Sequence, residues 1–255
     1  DIVKLDTFND AITLFTTDTG GVAYYGSVLA PNGFIYAIPF HANQIMKIDP
    51  QTDTVSYFGS LRGSGKYVGG VLAPNGFIYA IPHNAKQIMK IDPQTDTVSY
   101  FGSLSVSAKW SGGTLAFDDN IYCSPTYEVE FLKIDTQTDT YSLIGNISSG
   151  FNSYRSAVLS NNGSVYFTPF GAEKVLKIRV NTNSISIYNN IIGSDLKYAG
   201  GLIAENGNIY SSPNQAESIY KLSDEVIPME NLDMVIPSDL LTLATSNYNK
   251  YYNKI

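Results

Sequence analysis

A long internal repeat limits the fold of this chain more than any other sequence feature. Residues 28–61 and 71–104 are identical at a constant offset of 43 residues, except at three positions. A chain that repeats a unit of about 40 residues builds one supersecondary structure several times and buries its core between the copies. The differing pairs are Phe40 and His83, His41 and Asn84, and Asn43 and Lys86.

Further copies of the unit follow along the chain. A tyrosine recurs every 43 or 44 residues, and a proline follows each tyrosine three residues later. The spacing therefore predicts five units. The tyrosines are Tyr36, Tyr79, Tyr122, Tyr166 and Tyr210, and the prolines are Pro39, Pro82, Pro125, Pro169 and Pro213.

Each unit contains short apolar runs such as GGVLA, FIYAIP, QIMKID and TVSYFG, separated by turns such as APNG and DPQTD. Runs rich in Val, Ile, Tyr and Phe between Gly, Pro, Asn and Asp clusters are typical of β-strands. Four antiparallel strands per unit, repeated around an axis, form a β-propeller. The sequence therefore predicts an all-β propeller of four-stranded blades.

The number of blades depends on the two ends of the repeat. Residues 3–15 match residues 46–58, and the fifth unit has no clear fourth strand. The simplest ring has five blades, closed by the N-terminal strand of residues 11–16, and leaves residues 2–5 as a surplus strand. A six-bladed ring, with chain missing upstream, is the alternative. We predict the propeller over residues 1–224 and a C-terminal extension over residues 225–255, with a short helix over residues 238–249.

The unit resembles the YVTN and NHL type of propeller repeat in its segments APNGFIYAIP and KIDPQTDTV. The virginiamycin B lyase group carries a similar unit, and the resemblance covers about residues 1–223. It implies the fold and not the function, because such repeats serve enzymes, scaffolds and binding modules. The lyase resemblance also implies a metal-assisted histidine base. His41 and His83 are the two histidines, but they occupy different positions of the repeat and have no recognisable acid partner, so we interpret both as ordinary loop residues.

The differences between the first two units all fall in the loop between the second and third strands. In a propeller this loop shares a face with the loop that enters the first strand. A constant frame with one variable face favours a recognition function for that face. The alternative is that these loops tolerate substitutions without any function.

An aromatic residue precedes the first strand of every unit on this same face, and lysines precede three of these aromatics. Such a ring could bind a sugar or another flat, partly polar ligand by stacking and hydrogen bonds. The alternative is that the rings wedge between blades and seal them. The predicted ligand-binding residues are Tyr24, Tyr67, Trp110, Tyr154, Tyr198, Lys66, Lys109 and Lys197.

Composition and motifs exclude several other functions. The net charge of −7, with charged residues at 15%, lacks the basic stripe of nucleic-acid binders. No apolar run has the roughly 20 residues of a membrane helix. The single cysteine, Cys123, allows no internal disulfide or cysteine metal cluster and is expected to be buried. The recurrent Asp49, Asp92 and Asp135 are interpreted as turn caps, with calcium as the minor alternative.

We therefore predict a non-enzymatic module that recognises a carbohydrate or a protein surface, without a cofactor or metal. One alternative is a metal-assisted lyase or lactonase. Another is a structural subunit of a surface or viral assembly, with the C-terminal extension contacting a partner. A secreted, cell-surface or virion-associated location is favoured.

Overall fold

The computed structural model describes residues 2–15, 22–105, 109–147, 154–190 and 197–223. Within this part of the chain all regular structure is β-strand, so the prediction of an all-β fold is confirmed. No helix among the described residues is suited to crossing a membrane. The predicted extension over residues 225–255 and its helix lie outside the described residues.

The strands follow the repeat. An N-terminal hairpin consists of β1 (Ile2–Leu5) and β2 (Ile12–Phe15). Unit 1 consists of β3 (Tyr24–Leu29), β4 (Ile35–Pro39), β5 (Ile45–Asp49) and β6 (Thr54–Phe58). Unit 2 consists of β7 (Tyr67–Leu72), β8 (Ile78–Pro82), β9 (Ile88–Asp92) and β10 (Thr97–Phe101).

The remaining strands form three further units. Unit 3 consists of β11 (Trp110–Leu115), β12 (Asn120–Pro125), β13 (Phe131–Asp135) and β14 (Thr140–Ile144). Unit 4 consists of β15 (Tyr154–Leu159), β16 (Ser164–Pro169), β17 (Lys174–Arg179) and β18 (Ser184–Asn190). Unit 5 consists of β19 (Tyr198–Ile203), β20 (Ile209–Pro213) and β21 (Tyr220–Leu222).

Each of units 1 to 4 is a four-stranded antiparallel sheet in which the strands pair in chain order. The first strands of successive units, β3, β7, β11, β15 and β19, lie next to one another. Four-stranded sheets arranged in this way are consistent with a β-propeller. Strand β2 pairs with β1, and neither strand pairs with β21. The predicted closure of the ring is therefore not confirmed.

The turns have the chemistry that the sequence predicts. In APNG of unit 1, Gly33 has a φ of +86°, where a residue without a Cβ is not strained. In DPQTD, Oδ1 of Asp49 accepts hydrogen bonds from the backbone N–H groups of Gln51 and Thr52. These bonds lower the pKa of Asp49. The prediction that Asp49 and its repeats cap their turns is thus confirmed; Asp92 and Asp135 accept the same bonds from Gln94 and Gln137.

The first strand of every unit contains a register shift near its start. In unit 3 the shift lies between Trp110 and Gly113, and Gly112 has a φ of +70°. A Cβ on Gly112 would lie 2.5 Å from the carbonyl oxygen of Arg155 in the next unit. Glycine at this position therefore permits a β-bulge and the close approach of neighbouring first strands.

The hydrophobic core lies between neighbouring sheets. Ile38 of unit 1, for example, shares one buried cluster with Tyr67, Ile78 and Met89 of unit 2. Cys123 is fully buried in the next cluster, as predicted. The sheets of units 2, 3 and 4 thus each contribute to two cores, and those of units 1 and 5 contribute to one. A unit therefore buries its apolar side chains against its neighbours.

Candidate functional site

The turns and loops at the two ends of the strands form two faces, which differ in their contacts between units. The turn face carries the turns that join first to second strands and third to fourth strands. The loop face carries the loops between second and third strands and the connections from one unit to the next.

On the turn face, side chains of one unit bind the turn between the third and fourth strands of the following unit. The hydroxyl of Tyr79 donates to Oδ1 of Asp139 at 2.7 Å, and Nζ of Lys90 lies 2.6 Å from Oδ2. Nδ2 of Asn75 donates to the Tyr79 hydroxyl and to the carbonyl of Thr136. Burial, and then the hydrogen bond to Asp139, raise the pKa of Tyr79, so its hydroxyl stays protonated. We call this group the turn-face cluster.

The turn-face cluster recurs at other junctions. Its carboxylate or carboxamide comes from a residue with positive φ, for example Asp139 at +53°. The equivalent contacts join Tyr36 and Lys47 to Asp96, and Tyr122 and Lys133 to Asn183, while Lys4 of the N-terminal hairpin binds Asp53 of unit 1. The carboxylates of Asp53, Asp96 and Asp139 are therefore used in contacts with the preceding unit or hairpin. No group of three or more His, Cys, Asp or Glu side chains suited to a metal occurs in the described ranges.

The predicted aromatic residues lie where the loop face meets the core. Tyr67 is 3% exposed, and its hydroxyl donates to the carbonyl of Gln87. Trp110 is 2% exposed, and its Nε1 donates to the carbonyl of Glu130 in the equivalent way. Tyr154 and Tyr198 are buried, whereas Tyr24 is half-buried, and burial raises the pKa of Tyr24 to about 12. The rings of Tyr67, Trp110, Tyr154 and Tyr198 belong to the buried clusters between units. Contact of the predicted aromatic residues with a ligand stays a prediction.

The predicted lysines Lys66, Lys109 and Lys197 are also buried. Nζ of Lys66 donates to the carbonyl of Gly63 at 2.8 Å, and Nζ of Lys197 donates to the carbonyl of Ala172. The backbone of Lys66 joins two units, because its N–H donates to the carbonyl of Phe40 and its carbonyl accepts from the N–H of His83. Burial lowers the pKa of Lys66.

The positions that differ between units 1 and 2 make their repeated contacts through the backbone. The carbonyl of Phe40 accepts from the N–H of Lys66, and the carbonyl of His83 accepts from Lys109. The carbonyls of Asn43 and Lys86 accept from Leu61 and Leu104 in the same way. Because a carbonyl is present whatever the side chain, these positions can change without loss of the repeated backbone contacts.

The side chains at these variable positions converge at the junction of units 1 and 2. The rings of Phe40 and His41 lie 4.4 Å apart, and those of Phe40 and His83 lie 6.0 Å apart. Nδ1 of His41 accepts from the N–H of Gly65 and lies 2.5 Å from the hydroxyl oxygen of Ser64. The ring of Phe40 thus contacts both His41 of its own unit and His83 of unit 2. The linear repeat does not reveal this proximity.

Beside this cluster lies a cleft of about 370 Å³, which we call the junction cleft. Residues 60–67, which connect units 1 and 2, form one side, and residues 84–87 of unit 2 form the other. Tyr100 is 41% exposed and adds an accessible aromatic ring. Of the predicted ligand-binding residues, Lys66 and Tyr67 line the cleft.

Arg62, Lys86 and Tyr100 are the charged and aromatic lining residues that were not predicted from the sequence. Lys86 had a signal, since it is one of the three positions that differ between the copies. Tyr100 had none, because Tyr57 occupies the same position of unit 1. Arg62 lies directly after the copied segment, where unit 2 has Ser105.

Comparisons with known proteins identify the fold. No protein-family model and no curated protein sequence matches the chain. A catalytically inactive variant of virginiamycin B lyase from Staphylococcus aureus, solved with quinupristin, has a TM-score of 0.74 and 19% identity over 87% of this chain and 73% of that chain. A streptogramin B lyase has a TM-score of 0.71 and 18% identity over 83% of this chain and 68% of that chain.

The structural similarity extends to a protein that is not named as a lyase. Hydrazine synthase of Kuenenia stuttgartiensis has a TM-score of 0.60 and 16% identity over 79% of this chain and 59% of that chain. At such identities the likeness shows the fold alone. It supports the propeller prediction, whereas no match tests membership of the YVTN and NHL repeat family.

Proposed function

We propose that this chain is a non-enzymatic binding module that uses its loop face to recognise a carbohydrate or a protein surface. The observation that carries the proposal is the junction cleft. It lies beside the side chains that differ between two nearly identical units, two of which, Asn84 and Lys86, line it, and its volume of about 370 Å³ suits a small ligand. Serine, asparagine and glutamine side chains beside the ring of Tyr100 suit a sugar, which needs hydrogen bonds and one stacking surface.

The chain offers a matched pair of variants for testing this proposal. Tyr57 and Tyr100 occupy the same position of units 1 and 2 and are 40% and 41% exposed, but Tyr57 does not line the junction cleft. We expect Tyr100→Ala to weaken saccharide binding and Tyr57→Ala to leave it unchanged, as measured by saturation-transfer NMR with a panel of neutral and acidic oligosaccharides. Binding of no saccharide, or equal losses in both variants, would contradict a carbohydrate site in the cleft.

A lyase-like enzyme is the second candidate. It is favoured by the imidazole of His41, whose Nδ1 is held by Gly65 and Ser64 at the edge of the same site. The test is incubation with quinupristin and analysis of the products by mass spectrometry. Turnover that is lost in His41→Ala would favour the enzyme over the binding module. The third prediction, a structural subunit of an assembly, involves residues 225–255 and stays a prediction.

The number of blades belongs with these proposals. The ion pair between Lys4 and Asp53 repeats the pair between Lys47 and Asp96 of successive units. It supports a place for β1 as the third strand of a further unit before unit 1. Because β21 is already a third strand, β1 and β21 cannot fill the same place in one blade, which favours the six-blade alternative over the five-blade prediction.

Disulfide trapping distinguishes the two rings. Thr13 of β2 pairs with Lys4 of β1, so Lys4→Cys with Thr13→Cys is the positive control. If β2 instead completed unit 5, Lys221 of β21 would lie opposite Thr13, and Lys221→Cys with Thr13→Cys would oxidise. We expect the control pair to form a disulfide and the second pair not to form one. The native Cys123 is buried and does not compete.

A further inference from the structure

The junction cleft is cationic in a chain whose net charge is −7. Arg62, Lys66 and Lys86 line it, whereas no aspartate or glutamate does. None of these three cations makes a salt bridge within the described part of the chain. The cleft thus collects positive charge that no salt bridge in the described ranges neutralises.

Lys66 shows most clearly that the cleft lacks negative charge. The residue is 4% exposed, and its Nζ donates a hydrogen bond to the neutral carbonyl of Gly63. A buried ammonium that lacks a counter-ion is costly, and burial accordingly lowers the pKa of Lys66. A negatively charged ligand group in the cleft would offset this cost.

The equivalent junction between units 2 and 3 has the opposite charge pattern. Lys109 takes the place of Lys66, but Glu128 lies close enough to it to favour its charged form. Glu128 and Glu130 occupy the positions of Ala85 and Gln87. Since the same frame carries glutamates at one junction and Arg62 with Lys86 at the other, the frame does not require the cationic cleft.

We propose that the junction cleft binds an acidic saccharide, with its carboxylate near Arg62 and Lys86 and its ring on Tyr100. This inference rests on the proposed function and names the class of ligand. A guanidinium can bind a carboxylate with two parallel hydrogen bonds, and a sugar ring can pack on an exposed tyrosine. A carboxylate joined to a sugar uses both features, whereas a free anion uses only the charge.

Isothermal titration calorimetry can separate these chemistries. The acidic probes are the trimer of galacturonic acid and 3′-sialyllactose. The trimethyl ester of the galacturonic acid trimer and lactose keep the sugar and remove the charge, while acetate and phosphate keep the charge and remove the sugar. We expect binding of at least one acidic probe, weaker binding as the salt concentration rises, and little binding of the other ligands.

A charge-removal variant then places the site. We expect Arg62→Gln with Lys86→Gln to weaken the acidic saccharide about tenfold or more, since two charge-assisted contacts are lost. Lys174→Gln with Arg179→Gln removes the same charge at exposed positions of unit 4 and is the control, for which we expect unchanged binding. Urea unfolding followed by Trp110 fluorescence verifies that both variants are folded.

The outcomes separate this inference from the proposed function. Binding of neutral sugars or esters as tight as that of the acids would overturn the acidic ligand and leave the binding module in place. Acetate or phosphate binding as tightly as the acidic sugars would overturn the saccharide. An acidic sugar that binds both double variants equally would overturn the site, and a panel without any binding would overturn the carbohydrate function as well.

Discussion

The turn face and the loop face of the same two units differ in how they tolerate substitution. The residues that units 1 and 2 contribute to contacts on the turn face are identical, whereas all three substitutions lie on the loop face. On the turn face the contacts between units are made by side chains, as between Lys90 and Asp139. On the loop face the repeated contacts use backbone groups, as between Lys66 and Phe40.

This difference explains which residues can evolve new contacts. A change in Tyr79 or Asp139 would break a bond between units, because the partner is left without its hydrogen bond. A change at position 40, 41 or 43 keeps the backbone bond and alters only a side chain of the loop face. One face thus holds the frame, and the other is available for recognition.

The largest expected effect breaks the turn face at one junction. Asp139→Ala removes the acceptor of Tyr79 and Lys90 and places alanine at a φ of +53°. We expect a loss of about 2 to 3 kcal/mol in the free energy of unfolding in urea. Asp139→Asn is the matched control and should lose less, because Asn183 accepts the same contacts between units 3 and 4. An Asp139→Ala variant as stable as the original chain would mean that the cluster does not hold the units.

The second effect compares the partly buried Lys90–Asp139 ion pair with the equivalent, more exposed Lys4–Asp53 pair. The Lys90 side chain is 14% exposed and also lies over the ring of Phe77, whereas the Lys4 side chain is 43% exposed. We expect Lys90→Ala to cost about 1 to 2 kcal/mol and Lys4→Ala less than about 0.5 kcal/mol, because solvent screens exposed pairs. Urea midpoints measure both. Equal losses would show that burial does not set the strength of the pair.

The third effect concerns the loop face and is expected to be small. His41→Asn with Asn43→Lys gives unit 1 two side chains of unit 2 and leaves every repeated backbone contact in place. We expect the free energy of unfolding to change by less than about 0.5 kcal/mol, as for most exposed substitutions. A larger loss, measured in the same urea experiment, would show that the loop face also depends on its side chains.

The smallest effect is a pH dependence on the loop face. Burial lowers the pKa of His83, and the nearby Lys109 and Arg155 act in the same direction. Below pH 6.5 the unfolded chain therefore binds a proton that the folded chain resists, so stability falls as the pH falls. His83→Phe, which copies unit 1, should reduce the loss of stability between pH 7 and pH 5. An unchanged loss would assign it to other groups.

The sequence predicted the local structure well. The 43-residue period and the turn residues predicted the four strands of units 1 to 4 and the capping role of Asp49. It also placed Tyr67 and Trp110 near the loop face but left open whether they bind a ligand or seal neighbouring units, because a repeat defines spacing and not what covers a side chain. Tyr57 and Tyr100 have the same local sequence, and only the neighbouring connection makes one of them part of a cleft.

By itself, the sequence determined the strands, their order and the turns, since these depend on residues that are close together along the chain. Packing between units decided which side chains meet across a junction. Arg62 and Lys86 approach the same cleft from different segments, and Asp139 finds Lys90 in the preceding unit. Such contacts depend on how one sheet is placed beside another, which short-range patterns do not encode.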